Sequence, residues 1–177
     1  MKTKTETILK FMHVLAWIAF IGLAIETGAI LISYGVSWFH PIAASDLYRG
    51  MNLYDVSQYD FWLYTQMVSY VVALLVIKAY AAYLVIKIMM KVKLQSPFTL
   101  EITSRLETIA YVLLGGVVIS LISQVQADWL QKHVRDFNLG WIGENAGEFL
   151  LVAGLVFIIS QVFKRGVELQ AENELTV

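Results

Sequence analysis

The sequence has no cysteine, few charged residues and none of the common motifs of soluble enzymes. Without cysteine the chain cannot form disulfide bonds, thiolate metal sites or a cysteine nucleophile, although this absence says nothing about its compartment. Charged residues make up 15% of the chain, whereas they make up about a quarter of a typical soluble domain. The formal net charge is −1, so no basic field indicates direct nucleic-acid binding.

Enzyme and cofactor signatures are missing in the same way. The chain contains no phosphate-binding loop, dinucleotide-binding glycine motif, HExxH or GxSxG. Its histidines are not predicted to bring three metal ligands together, nor to place two haem ligands at one depth in a membrane. They are His13, His40 and His133. We therefore expect no metal, no cofactor and no enzymatic activity.

The chain is instead rich in hydrophobic residues, which make up 58% of it and are concentrated in four long segments. A helix needs about 20 mostly apolar residues to cross a membrane, and its backbone must form its hydrogen bonds internally. The first segment is too long for a cleaved signal peptide, so we expect it to remain as a span. The sequence thus predicts a single all-α domain, an integral-membrane four-helix bundle. The predicted spans are residues 11–36, 64–90, 109–127 and 145–163.

Lysine and arginine residues are unevenly distributed around these spans. Nine of the 13 flank the two chain ends and the connection between the second and third spans, three lie in the other two connections, and Lys78 lies inside the second span. Because basic flanks tend to stay in the cytoplasm, this distribution predicts an N-in/C-in orientation. The outer connections are then residues 37–63 and 128–144, and the cytoplasmic tail is residues 164–177.

Aromatic and acidic residues are concentrated in the outer connections. One interpretation is an aromatic belt at the level of the lipid headgroups, with the acidic residues in water. The alternative is a folded cap that recognises a ligand, since loops on a rigid scaffold often carry function. The residues are Trp38, Phe39, Tyr48, Tyr54, Tyr59, Phe61 and Trp62 with Asp46, Asp55 and Asp60, and then Trp129, Phe137 and Trp141 with Asp136 and Glu144.

Two ionisable residues lie deep in the predicted spans, where a charge costs about 3 kcal/mol or more. Lys78 lies about 21 Å along the second span and Glu26 about 15 residues into the first, so their depths differ by about one helical turn. A lysine side chain is long enough to cross that difference. We predict an intramembrane charged pair of Glu26 and Lys78, which either fixes helix packing or serves as an ion relay or ligand counter-ion.

Smaller features predict how the helices pack and begin. Ser96 or Thr99 is expected to cap the helix of the third span. Small residues predict close helix approach, either inside one bundle or between protomers, and polar residues of the third span predict hydrogen bonds across the bundle. The small residues are Ala24, Gly28, Gly115, Gly116, Gly147 and Gly154, and the polar residues are Ser120, Ser123, Gln124 and Gln126.

The end of the chain carries a motif that a membrane span by itself does not require. It reads Phe163-Lys164-Arg165-Gly166, then Leu169, Glu172-Asn173 and Leu175-Thr176-Val177, and the inner connection contains Ser96-Pro97-Phe98. Through these residues and its layout, from about the second span onward, the chain resembles a bacterial membrane-protein family, domain of unknown function 2975 (DUF2975). The resemblance implies no established activity and no catalytic residues. Members of the family often look like genomic neighbours of small helix-turn-helix regulators.

Three functional hypotheses follow from the layout and the resemblance. The first is a regulatory or sensory protein of the bacterial cytoplasmic (inner) membrane, coupled by signalling to a cytoplasmic DNA-binding regulator. The second is a small transporter or ion-conducting subunit that uses Glu26 and Lys78, and the third is a membrane scaffold or immunity-type protein. Membrane lipids are expected partners, and a homo-oligomer is left open. The residues expected to contact a cytoplasmic partner are Pro97, Phe98, Arg165, Gly166, Leu169, Glu172, Asn173 and Leu175.

Overall fold

The computed structural model describes residues 4–92, 98–134, 137 and 145–174, and every regular element in these ranges is a helix. The elements are α1 (Lys4–Ser37), a 3-10 helix (Pro41–Ser45), α2 (Tyr54–Tyr59), α3 (Phe61–Lys91), α4 (Leu100–His133) and α5 (Asn145–Glu174). The four long helices, α1, α3, α4 and α5, are each long and apolar enough to cross a membrane. The all-helical prediction and the four apolar segments are confirmed, and they are compatible with a multi-pass membrane protein.

Two of the long helices, α3 and α4, begin at side chains that cap their first turns. Thr99 Oγ1 accepts a hydrogen bond of 3.3 Å from the Ile102 amide at the start of α4, as one of the two predicted caps requires. Asp60 Oδ1 accepts hydrogen bonds of 2.7 and 3.0 Å from the Trp62 and Leu63 amides at the start of α3. Because a cap satisfies amides that lack a helical partner, each helix begins there and not at the edge of its apolar segment.

The long helices pack in chain order, with α1 on α3, α3 on α4 and α4 on α5. Neighbouring helices run antiparallel: Tyr34 of α1 hydrogen bonds to Thr65 of α3 at 2.9 Å, while Lys10 and Met90 line one pocket at the opposite end of the same pair. Gln126 of α4 donates a hydrogen bond of 2.8 Å to a glutamine of α3, which confirms one predicted hydrogen bond across the bundle. Among the described residues, α1 packs extensively only on α3 and on the 3-10 helix that follows α1.

The start of α1 and the end of α5 therefore lie at the same end of the molecule. Lys10, near the start of α1, lies beside Met90 at the end of α3, and Phe98, just before α4, contacts Gly166 of α5. We call this end the Phe98 end. Which side of a membrane it faces remains a prediction from the distribution of basic residues.

The segment between α1 and α3, residues 38–60, folds into a small cap over the other end of the helices. Its backbone is closed by hydrogen bonds from the Leu53 amide to the Ala44 carbonyl (2.8 Å) and from the Leu47 amide to the Met51 carbonyl (3.0 Å). Five apolar side chains of the cap are buried in one cluster with residues of α1, α3 and α4. They are Ala44, Leu47, Met51, Leu53 and Val56. Burial of these aliphatic side chains explains why the cap folds.

Aromatic side chains of the cap region divide into an exposed set and a buried set. Phe39 is 83% exposed and Trp62 is 80% exposed, as a belt at the lipid headgroups requires. Tyr64 is fully buried, and its hydroxyl hydrogen bonds to Ser37 at 2.8 Å. The structure thus contains a folded cap with outward-facing aromatic residues, so the two interpretations of this connection are not exclusive. Ligand recognition by the cap remains a prediction.

Within this chain, one of the predicted glycines lies at a close approach between two helices. A Cβ atom at Gly116 of α4 would lie 2.8 Å from the ring of Phe149 of α5. Corresponding Cβ positions at four predicted glycines have no neighbouring side chain or other helix within 4 Å, so these glycines do not mark a close approach inside this chain, and an approach between protomers remains a prediction. The four are Gly28, Gly115, Gly147 and Gly154. Gly115 shows the reason, since it lies about 100° around α4 from Gly116 and therefore on a different face.

Candidate functional site

A cavity of about 290 Å³ lies between α3, α4 and α5. Its walls are mostly aliphatic, and the small side chains of Ala81 and Ala82 on α3 leave room beside the valines of α5. Lys78 and Glu148 are the two charged residues among those that line it. A mostly apolar pocket with a few polar groups is the usual form of a small-molecule site. We therefore take this cavity as the first candidate site.

The charged end of the cavity lies where α5 begins. Lys78 Nζ lies 5.3 Å from the centroid of the Phe149 ring, within the distance at which a cation is attracted to an aromatic face. Glu148 is in the first turn of α5, where the helix dipole favours a carboxylate. Phe149 contacts Gly116 of α4, and α4 continues from Gly116 to His133. At 1.5 Å per residue, α4 therefore extends about 26 Å beyond this contact. The Lys78 ammonium is thus placed at the N-terminal end of α5.

Lys78 and Glu26 belong to different helix interfaces. The α1–α3 interface includes Phe20 and Tyr83, whose ring centroids are 6.0 Å apart. Around α3, Lys78 lies about 140° from Tyr83, on the side that faces α4 and α5. Glu26 is half-buried on α1, which packs on α3 and not on the cavity. The structure therefore does not bring Glu26 and Lys78 onto one interface, and their pairing remains a prediction.

The second candidate site is the Phe98 end, where the tail motif meets the connection before α4. A Cβ atom at Gly166 would lie 2.6 Å from Phe98 Cδ1 and 2.8 Å from its Cγ, so the ring lies directly on the glycine. The rings of Phe98 and Phe163 are 5.1 Å apart between centroids, at an angle of 63°. Phe163 and Gly166 are three residues apart and share one face of α5. Two residues of the Phe-Lys-Arg-Gly motif thus hold the connection against α5.

Charged side chains surround this contact. The Glu101 carboxylate accepts a hydrogen bond of 2.9 Å from Arg105 and lies 3.4 Å from Lys91 Nζ. Arg105, through this hydrogen bond, lowers the pKa of the Glu101 carboxyl, which precedes the predicted span of residues 109–127. Arg165 lies 2.8 Å from Glu168 and 3.7 Å from Glu172. Because these pairs are exposed, solvent screens them and they contribute little to the stability of the fold.

The residues predicted to contact a partner therefore have different surroundings. Phe98 and Gly166 are half-buried and contact each other, and Arg165 and Glu172 form an exposed ion pair. Leu169 is 45% exposed. Pro97 and Leu175 lie outside the described residues, as does the side chain of Asn173.

Sequence reasoning missed Phe149, Ala81 and Ala82, which shape the cavity. The available signal was weak: one phenylalanine near the start of the fourth span and two adjacent alanines in the second. Neither pattern shows which helices will be neighbours.

A family model with the description "Protein of unknown function (DUF2975)" matches residues 56–177, which is more than half of the chain. The chain belongs to the DUF2975 family. The resemblance noted from the tail and the inner connection is thereby confirmed. The DUF2975 region begins within α2 and includes both the cavity and the Phe98–Gly166 contact. Searches of the curated proteins and of the solved structures return no match to this chain.

Proposed function

We propose that this DUF2975 protein is a non-enzymatic, multi-pass protein of the bacterial cytoplasmic membrane that regulates a cytoplasmic partner through its Phe98 end. The observation that carries the proposal is the part of α5 beyond Gly166. There the helix continues to Glu174, past the predicted span of residues 145–163, and Phe98 holds its base in place. We call the stretch of α5 after Gly166 the α5 extension.

The α5 extension has the form of a docking element. Leu169 is exposed between Glu168 and Glu172, which lie 2.8 and 3.7 Å from Arg165, so one apolar side chain is surrounded by charged groups. An exposed apolar anchor with a charged rim is typical of a protein-binding surface. Acidic charge also complements a basic DNA-binding surface, because DNA-binding proteins carry lysine and arginine toward the phosphates. A helix-turn-helix regulator bound here would be kept from DNA.

The proposal is tested by co-expressing the full chain with the helix-turn-helix protein that the family resemblance leads us to expect from a neighbouring gene. The measurements are the fraction of regulator in the membrane pellet and its occupancy of DNA. We expect Leu169→Ala to raise the dissociation constant of the regulator at least about fivefold, which corresponds to about 1 kcal/mol of lost binding free energy. A chain ending after Val167 keeps the Phe98–Gly166 contact and should release the regulator completely.

The matched control is Ile42→Ala, which truncates an aliphatic residue that is 76% exposed in the cap at the other end of the molecule. It should leave membrane retention of the regulator unchanged. Equal retention by the parent chain, Leu169→Ala and the truncated chain would remove the α5 extension from the proposal. Retention that is lost equally in Ile42→Ala would indicate a general loss of folding.

A further inference from the structure

A pocket of about 430 Å³ lies between the first turns of α1 and the last turn of α3. Two polar residues line it, Lys10 and His13, and both belong to α1. Lys10 directly precedes the predicted span of residues 11–36, and the predicted span of residues 64–90 ends in the same pocket. The pocket therefore lies where both helices leave the apolar layer, which is the level of lipid headgroups. Its apolar lining residues are Leu9, Val14, Met89 and Met90.

The aromatic neighbours of His13 fix which ring nitrogen carries the proton. Trp17 Nε1 donates a hydrogen bond of 3.1 Å to His13 Nε2, so a neutral His13 ring carries its proton on Nδ1. The Trp17 ring lies edge-on to Phe20 at 5.9 Å between centroids, and Phe20 packs on Tyr83 of α3 at 6.0 Å. The His13 ring therefore offers an N–H donor to a ligand.

The polar side chains of the pocket are thus hydrogen-bond donors. Lys10 is exposed, and no carboxylate among the described residues forms an ion pair with it. Glu6 lies one turn before Lys10, further from the span, and does not line the pocket. An ammonium beside an N–H donor suits an anion with several acceptor oxygens, such as a phosphate. Basic pockets between helices at this level are suited to phospholipid headgroups.

An exposed apolar stripe continues from the pocket along α1. Its residues are three or four positions apart and therefore share one face of the helix. From residue 14 to residue 25 the stripe is about 16 Å long at 1.5 Å per residue. A lipid with its phosphate at Lys10 can lay a chain along this stripe, whereas a soluble phosphate gains nothing from it. The stripe consists of Val14, Ile18, Ile21 and Ile25.

We propose that this pocket binds an anionic glycerophospholipid of the phosphatidylglycerol type. Its phosphate accepts hydrogen bonds from the Lys10 ammonium and from His13 Nδ1, and one chain follows the stripe from Val14. Phosphatidylethanolamine is a weaker ligand, because its ammonium would be repelled by Lys10 and no lining side chain carries a carboxylate. The proposal does not depend on the regulatory function proposed above.

The test is native mass spectrometry of the purified full chain in detergent, titrated with three lipids that share two oleoyl chains. They are phosphatidylglycerol, phosphatidylethanolamine and diacylglycerol. We expect saturable binding of one phosphatidylglycerol per chain, about tenfold tighter than phosphatidylethanolamine, which corresponds to about 1.4 kcal/mol. Diacylglycerol, which has no phosphate, should bind more weakly still. Glycerol phosphate in excess should not displace the lipid, because it lacks the chains.

Variants test the two donors. Lys10→Gln should lower the affinity for phosphatidylglycerol to that for phosphatidylethanolamine. The matched control is Lys164→Gln, which changes an exposed lysine of α5 at the same end of the molecule and should leave the preference unchanged. His13→Phe keeps an aromatic ring without the donor and should weaken phosphatidylglycerol binding about fivefold, or about 1 kcal/mol.

Two measurements on folded protein complete the test. Nitrogen chemical shifts of the His13 ring should show the Nδ1–H tautomer in the parent chain, and Trp17→Phe should lose this preference. Phosphatidylglycerol with a photoreactive chain should label Val14, Ile18 or Met90 in the parent chain, and this result does not depend on how any variant folds. Equal affinity for the two phospholipids, an equal loss in Lys164→Gln and Lys10→Gln, an Nε2–H tautomer in the parent chain, or labelling confined to α4 and α5 would each overturn the proposal.

Discussion

Replacing Gly166 by alanine tests whether the Phe98 ring fixes α5 to the start of α4. The added Cβ would lie 2.6, 2.8 and 3.0 Å from Phe98 Cδ1, Cγ and Cε1. Carbon atoms in contact are ordinarily about 3.5–4.0 Å apart, so the ring must move by roughly 1 Å. Cγ is the ring atom nearest the backbone, and rotation of the ring alone cannot move it away. Phe98 must therefore leave its place between Gly166 and Phe163.

Two opposing effects set the size of the change. Overpacking of a well-packed contact costs about 1–3 kcal/mol. Alanine in a helix interior gains up to about 1 kcal/mol over glycine through helix propensity. We therefore expect Gly166→Ala to lower the free energy of unfolding by about 1 kcal/mol. Gly154→Ala, in the same helix, should not lower it, because its Cβ would meet no neighbouring side chain or other helix within 4 Å.

The assay is reversible unfolding in mixed detergent micelles, followed by circular dichroism of the helices. The difference between Gly166→Ala and Gly154→Ala cancels helix propensity and should equal the overpacking cost of about 1–3 kcal/mol. In a Phe98→Ala background the difference should vanish, because the ring that the Cβ would meet is gone. A double-mutant cycle measures this coupling directly.

Equal stability of Gly166→Ala and Gly154→Ala would refute the reasoning. A difference that persists in the Phe98→Ala background would also refute it, since the cost would then come from a contact other than the ring.

Three further predictions concern the N-cap of α3, the buried hydrogen bond of Tyr64 and the two ionisable residues deep in the spans. Asp60→Ala should lower the free energy of unfolding by about 1 kcal/mol, because two amide hydrogen bonds at the start of α3 are lost. The control is Asp55→Ala, in the first turn of α2. An equal loss of stability in the control would contradict the capping role of Asp60. Tyr64→Phe should cost about 0.5–1.5 kcal/mol in the same assay by removing the buried 2.8 Å hydrogen bond to the last serine of α1, and an unchanged stability would show that the bond contributes nothing. In proteoliposomes, Glu26→Gln and Lys78→Met should leave ion flux at the level of the parent chain, whereas a matching loss in both variants would support the transport hypothesis.

The close contact between Phe98 and Gly166 gives the tail motif a structural role beside any functional one. Phe163 and Gly166 face the connection before α4, whereas Arg165 faces Glu168 and Glu172 along the exposed side of α5. Variants of the first pair are therefore expected to change stability, and variants of the second group to change only partner binding.

The sequence by itself determined the helical class and the number of long helices. Hydrophobic segments such as residues 64–90 are long enough that backbone hydrogen bonding in an apolar environment leaves helix as the available structure. It also narrowed the N-cap of α4 to two candidate residues, Ser96 and Thr99. A hydroxyl side chain just before a helix accepts hydrogen bonds from amides of the first turn, and this depends only on residues close in the chain. These properties depend on residues close together in the chain. The tail motif and the layout likewise indicated the DUF2975 family before any contact was known.

Only the tertiary structure decided which side chains meet. Depth along a span predicted that Glu26 and Lys78 lie at similar levels, but their direction around the helix depends on which neighbours α3 has. Lys78 faces the cavity beside Phe149 because α4 and α5 pack on that side of α3. Of the two adjacent glycines of α4, Gly116 receives a ring from another helix. Helix composition sets what is buried or exposed to lipid, whereas packing between segments distant in the chain sets the cavity and the Phe98–Gly166 contact.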